Sequence, residues 1–304
     1  MSNLDHFTAE KTARRGTRTP TQFGEAINRY LGATGYTDPY APAPMLVPAT
    51  GTRRVAPNGG IVLVGVDDSP ISCSALDQAA IEAELHGWSL RIVTVRRSGT
   101  DESGERLLER LTDRVHAIVP TVPVTSRLAA ASSRVPALLD LANEADLLVV
   151  GHRHGAATTA LGGSVADQVA RRHAGPVMVV RMPGWPAGPD FGSRPLLAAV
   201  DGSPPAHAAM EYALAEAAVR GCDVTLLHVV GSRMDVARRV EHRDGVTVHH
   251  RILSGDPVEA LIEQSARAAA VVVGRSRHDL LARTLLSPAA HLLPQRSFCP
   301  VFVV

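Results

Sequence analysis

Laid over itself with an offset of 134 positions, the sequence aligns residues 61–95 with 195–229 without a gap, and 11 of the 35 pairs are identical. Val66-Asp67-Asp68-Ser69-Pro70 falls on Val200-Asp201-Gly202-Ser203-Pro204, and Gly87 falls on Gly221. An offset of 123 then places Ala145–Gly151 (ADLLVVG) on Ala268–Gly274 (AAAVVVG), and 124 places Gly175–Val180 (GPVMVV) on Cys299–Val304 (CPVFVV). A chain built this way folds as two like domains, and 304 residues at about 150 per domain agree. The fall from 134 to 123 gives the first copy 11 extra residues between its second strand and its third helix. The step from 123 to 124 places a one-residue deletion in the first copy between Gly151 and Pro176.

Each copy alternates strand and helix, the pattern of a parallel sheet covered on both faces. In the first copy the expected strands are IVLVGV (61–66), LRIVTV (90–95), a strand near 122–128, LLVVG (147–151) and PVMVV (176–180). Helices are expected after Ser69-Pro70 and over about 103–118, 135–144 and from 164. The second copy repeats the order through VTLLHVV (224–230), VTVHHRIL (246–253), a helix after Asp256-Pro257, AVVVG (270–274) and PVFVV (300–304). Both copies end in a short apolar strand, an edge that invites aggregation unless paired, and pairing one with the other about a pseudo-two-fold axis protects both. Residues 182–194, rich in Pro and Gly, read as a linker between a first domain over 60–181 and a second over 195–304. Residues 1–59 read as a largely disordered extension with one short helix near Glu25–Leu31.

Composition removes several kinds of chemistry. With 31 basic against 30 acidic side chains the chain has no cation excess for a nucleic-acid partner. All the basic residues but Lys11 are Arg, so a Walker A phosphate loop is excluded and Schiff-base chemistry nearly so. Cys73, Cys222 and Cys299 form no C-x-x-C and read as reduced thiols. No apolar run is long enough to span a bilayer and no signal-peptide core opens the chain, so a cytoplasmic, membrane-free protein is expected.

V-D-x-S after the first strand, A-D-L-L-V-V-G ending the fourth, Gly-Ser opening the next helix and P-V-x-V-V closing the copy, all in this order, resemble the universal stress protein family. The match is to its tandem two-domain kind and covers about 61–181 and 195–304. The resemblance implies two doubly wound five-stranded parallel sheets of order 3-2-1-4-5, Rossmann-like and related to the adenine nucleotide alpha hydrolases. Many members bind ATP, others do not, and none needs to be an enzyme. Ligands of such a sheet sit outside the carboxyl ends of the strands where strand order reverses. Carried over by position, Val66 and Asp67 lie near adenine and ribose, and Val95 lies with its backbone at adenine. Val150 and Gly151 lie under the ribose and first phosphate, and Gly163, Ser164 and Val165 surround the outer phosphates. ATP with Mg²⁺ is the implied ligand, alongside an unidentified protein partner, and a homodimer of the tandem unit stays open.

The departures from the family pattern weigh on that implication. ATP-binding members resemble G-x-x-G followed nine residues later by G-S or G-T, whereas this copy reads GHRHGAATTALGGS (151–164), one residue short. His154 stands at the second glycine and Gly155 follows one position late, so a shifted loop through Gly155 is the candidate phosphate cradle. The second copy reads GRSRHDLLARTLLSP (274–288), with Arg277 at the second glycine and Ser287-Pro288 in place of Gly163-Ser164. Pro288 removes an N–H from the helix start, so this copy is expected to bind no nucleotide, or to bind it far more weakly, and to serve as a structural partner.

Other residues read more simply. Asp67 serves equally as a ribose acceptor or as a helper at the start of the adjacent helix. His152 and His154 lack a nearby carboxylate or Cys and read as solvated rather than as metal ligands. His249-His250 point to opposite faces of a strand and cannot readily share one ion. No catalytic residue and no metal ligand is assigned. Three classes follow: an ATP-binding stress protein acting through conformation or partners, a nucleotide-free interaction module of the same fold, and, least supported, a slow ATPase.

Overall fold

A computed structural model describes residues 21–33, 59–97, 102–152, 164–181, 189–229, 239–253, 256–275 and 289–304. The first copy runs β1 (Ile61–Val66), α2 (Pro70–His86), β2 (Ser89–Arg96), α3 (Glu102–Ile118), β3 (Val124–Ala130), α4 (Arg134–Ala142), β4 (Leu147–His152), α5 (Val165–Arg172) and β5 (Val177–Arg181). It is preceded by α1 (Gln22–Ala33). After a 3-10 turn (Pro189–Ser193) the second copy runs β6 (Leu196–Val200), α6 (Pro204–Arg220), β7 (Val224–Val229), β8 (Arg239–Arg243), β9 (Val246–Leu253), α7 (Pro257–Ser265), β10 (Ala270–Val273), α8 (Ala289–Arg296) and β11 (Val301–Val303).

The two expected five-stranded sheets are joined into one of 11 strands, ordered β3-β2-β1-β4-β5-β11-β10-β6-β7-β9-β8. Each half keeps the order 3-2-1-4-5, in the second with the outermost β8 set aside, and these five strands pair in parallel. The seam is antiparallel: Val301 faces Val179, Phe302 faces Met178 and Val303 faces Val177. The two strands expected to protect each other do so, and all six seam residues are buried.

Alternation along the strands divides the core between the two faces of the sheet. Val62, Val64, Leu90, Met178 and Phe302 join one cluster, under α1, α2, α3 and α6. Leu63, Val93, Val177, Val179 and Val301 join the other, under α4, α5, α7 and α8. Helices α2 and α6 begin alike, at Ser69-Pro70 and Ser203-Pro204, and both stop at a left-handed glycine, Gly87 and Gly221, each with φ 67°.

Two features go beyond the sequence expectation. The second copy gains β8, paired antiparallel with β9 through Asp244-Gly245 with φ 51° and 81°. Both positive angles match the tight turn that Asp-Gly favours in hairpins. Helix α1 is longer than the helix expected near Glu25–Leu31, and it is built into the core: Phe23 and Ile27 are fully buried. Phe23 meets Phe191 of the 3-10 turn with ring centroids 5.8 Å apart, so the end of the expected linker is packed as well.

Where α2 crosses α6, the duplication brings equivalent residues face to face. Glu82 aligns with Glu216 and His86 with Arg220 at the offset of 134. Arg220 Nη2 donates to both oxygens of Glu82, at 2.6 and 2.7 Å, and Arg220 Nε donates to Glu216 Oε1 at 2.7 Å. His86 Nε2 lies 3.1 Å from Glu216 Oε2, and the Phe23 ring covers the guanidinium at 4.5 Å. This group of four ionisable side chains is largely enclosed, with Arg220 fully buried and His86 partly exposed.

Candidate functional site

A cavity of about 860 Å³ opens at the carboxyl ends of the first copy's strands. It lies between the end of β2, the starts of α3 and α4, and the first turn of α5. Val95 and Val165, expected at the two ends of a nucleotide, line this one cavity. Val95 is buried beneath it, while Val165 is among the few exposed large apolar residues.

The charge around the cavity is one-sided. Among the described residues, Arg96, Arg97, Arg106 and Arg134 line it against a single acid, Glu102. Arg96 Nη2 is held 2.6 Å from Asp68 Oδ2, and Arg106 sits 3.8 Å from Glu102 on the same helix. Arg153, the basic residue of the loop after Gly151, lies outside the described residues. These four arginines come from three separate stretches of chain, and their only sequence signal was the Arg96-Arg97 pair directly after a buried strand.

The start of α5 is tightly organised. Ser164 Oγ accepts from the Asp167 amide at 3.0 Å, and the Asp167 carboxylate accepts from the Ser164 amide at 3.1 Å, a capping box. His152, expected to be solvated, is instead buried, with Nε2 3.4 Å from Asp167 Oδ1. Burial opposes the charge on Asp167, but hydrogen bonds from His152 and Ser164 outweigh it and hold the carboxyl well below the usual range.

Of the other expected residues, Asp67 is used within its own turn. Its Oδ1 accepts from the Ser69 amide at 3.0 Å, from Ser72 Oγ at 3.0 Å and from Ser69 Oγ. Ser69 is the N-cap by position, yet its hydroxyl turns to Asp67 rather than to the helix amides. Asp201 makes the same bonds to Ser203 in the second copy, the one expected to bind nucleotide far more weakly or not at all. The local turn therefore accounts for an Asp at this position in both copies.

Val66 and Val150 are buried core residues on opposite faces of the sheet. Gly151 is shaped by packing: a Cβ there would lie 2.8 Å from Ile71 Cγ1. Its counterpart Gly274 is tighter still, with Pro205 O at 2.0 Å from such a Cβ. Gly155, Gly163 and His154, with Arg277, Ser287 and Pro288 of the second copy, lie outside the described residues.

In the second copy Arg275 stands where His152 stands in the first. It reaches across the seam and donates to Ala170 O at 2.8 Å and Gly175 O at 2.9 Å, beside the end of α5. The arginine after Gly274 thus ties one half to the other.

The model of the universal stress protein family matches residues 60–181 and 192–242, the whole of the first copy and the first part of the second. This chain belongs to the universal stress protein family. A universal stress protein of Mycobacterium tuberculosis is 30% identical over 274 residues, covering 71% of this chain and 86% of its own. One from Mycolicibacterium smegmatis is 27% identical over 289 residues, covering 80% and 96%. Among solved structures, a Pseudomonas aeruginosa protein described as functionally unknown superposes with a TM-score of 0.56 at 14% identity, covering 81% of this chain and 92% of that one. A universal stress protein from Archaeoglobus fulgidus gives 0.54 at 18%, covering 80% and 95%. At these identities the two structures share the fold of this universal stress protein. Among the described residues no helix is long and apolar enough to cross a membrane.

Proposed function

We propose that this universal stress protein binds ATP, with Mg²⁺ as counter-ion, in its first copy and acts through conformation or a protein partner rather than by turnover. The observation that carries the reading is the single cavity running from Val95 to Val165. At about 860 Å³ it falls in the range of small-molecule sites, roughly 300–1,000 Å³. Its apolar contacts at the end of β2 suit a base, and its other end reaches the first turn of α5, a helix start suited to phosphate. The second copy serves as the structural partner, its Arg275 being engaged with the first half.

A nucleotide-free interaction module is the second reading, and one observation favours it. The Ser164 amide and hydroxyl, expected at the phosphates, are both engaged with Asp167. Acid extraction of purified protein followed by chromatography separates the readings. ATP recovered intact, together with calorimetric binding tighter than about 1 mM, supports the first. Val165→Glu, which places a carboxylate in the cavity from an exposed position, is expected to weaken ATP at least about tenfold without loss of fold. Wild-type protein that carries no nucleotide and shows no heat with ATP overturns the proposal in favour of the second.

A further inference from the structure

Among the described residues, four guanidinium groups line the cavity against one carboxylate, more positive charge than a base pocket needs. Arg96 is balanced by Asp68, and Arg106 has Glu102 beside it. Arg97 and Arg134 are different: both are exposed, and among the described residues neither has an ion-pair or hydrogen-bond partner. They line the same cavity from the end of β2 and the first residue of α4, with Ser132 and Ser133 beside Arg134. A permanently charged fork of donors suits a phosphate, which it can grip through two parallel bonds. Held at a concave site, the charge is focused on the cavity rather than spread over the surface.

The two copies offer an internal comparison at this point. At the offset of 123, Ser133-Arg134 at the head of α4 aligns with Asp256-Pro257 at the head of α7. Asp256 supplies its own carboxylate, accepting from the Val258 amide at 2.8 Å and the Glu259 amide at 3.3 Å. Ser133 makes no such side-chain bond. Where the second copy carries a built-in anion, the first presents hydroxyls and a guanidinium to the cavity.

We infer that Arg97 and Arg134 form a second anion subsite, so that the preferred ligand is a nucleotide bearing a further phosphate remote from its 5′ chain. The inference rests on the nucleotide reading of this cavity and specifies the ligand within it. The 5′ phosphates lie at the α5 end, marked by Val165, and the second phosphate lies at the α4 end, marked by Arg134; both residues line the one cavity.

The test is calorimetry on the full chain with AMP, ATP, adenosine 3′,5′-bisphosphate and pyrophosphate at one pH and one ionic strength. The bisphosphate is expected to bind at least about tenfold more tightly than AMP. In Arg97→Ala/Arg134→Ala that preference falls to within about twofold, while AMP itself changes by less than about twofold. Arg110→Ala/Arg127→Ala removes two exposed charges that do not line the cavity, and it is expected to leave the preference intact. Equal binding of bisphosphate and AMP by wild type, or a preference that survives in the Arg97/Arg134 variant, overturns the inference. If AMP and ATP fail to bind but pyrophosphate binds and is lost in that variant, the anion subsite stands and the ATP reading falls. If none of the four binds, both fall.

Discussion

At the scale of single residues, the glycines that close β4 and β10 show how a motif position can be fixed by packing. Gly151 was expected beneath a ribose, yet the nearest atoms to a Cβ there belong to Ile71 at the start of α2. Gly274 occupies the matching place against α6, where the obstacle is the backbone of Pro205 rather than a side chain that can swing. Gly274→Ala is therefore expected to cost more stability than Gly151→Ala, about 1–3 kcal/mol or above for the former. Urea unfolding of the two variants checks the order, and equal midpoints would remove the packing explanation. Glycine in the aligned segments was legible in the sequence, but its cause was not, because the clash involves a helix start 80 residues away in the first copy and 69 in the second. His152 is buried rather than solvated for a similar reason: its neighbour Asp167 lies on α5, so the contact is invisible to local spacing.

At the scale of elements, most of the strand and helix order was legible because apolar runs, proline starts and glycine stops recur at the same offsets in both copies. Helix α1 was recognised only in part. Its buried face, Phe23, Ala26, Ile27 and Tyr30, has helical spacing, but nothing in those residues names the surface they cover. That surface is composite: Phe23 touches Phe191 and Arg220, and Tyr30 Oη donates to Asp77 Oδ2 of α2 at 3.0 Å. Because α1 adds no strand to the sheet, losing its anchor is expected to release the helix while the sheet persists. In Phe23→Ala, hydrogen exchange at the α1 amides should rise at least about tenfold while β1 and β4 stay protected. Uniform acceleration through the sheet would instead make α1 part of the global unfolding unit. The β8–β9 hairpin was also within reach of the sequence, since Asp244-Gly245 is a strong turn signal, but the flanking RVEHR strand carries charge where a buried strand would be apolar. Such charge suits its place at the outer edge of the sheet.

At the scale of the whole molecule, the α2–α6 crossing is expected to make stability depend on pH. Burial opposes a charged His86, but its hydrogen bond to Glu216, reinforced by the charges of Glu216 and Glu82, raises its pKa above the ordinary value. Burial pushes Glu82 up, while Arg220 and His86 draw Glu216 down to about 2. A group with a raised folded pKa stabilises fully below its unfolded value, about 6.5 for His, and loses that contribution as pH rises through the folded value. Wild type should therefore lose stability as pH climbs from about 6.5, and His86→Gln should lack that step when urea midpoints are compared across the same range. A step of equal size in the variant would assign the dependence to another group. The cavity arginines escaped the sequence reading at this scale too, since only folding gathers residues 96, 97, 106 and 134 around one space. The antiparallel seam carries a consequence of a different kind. Two identical subunits joined about a true two-fold would repeat every side chain, so their crossing would hold two histidines or two arginines, never one of each. Written as a single polypeptide, the pair is free to become unequal: one half can keep a proton-sensitive partner and the other a permanent cation, each substitution being made once instead of twice.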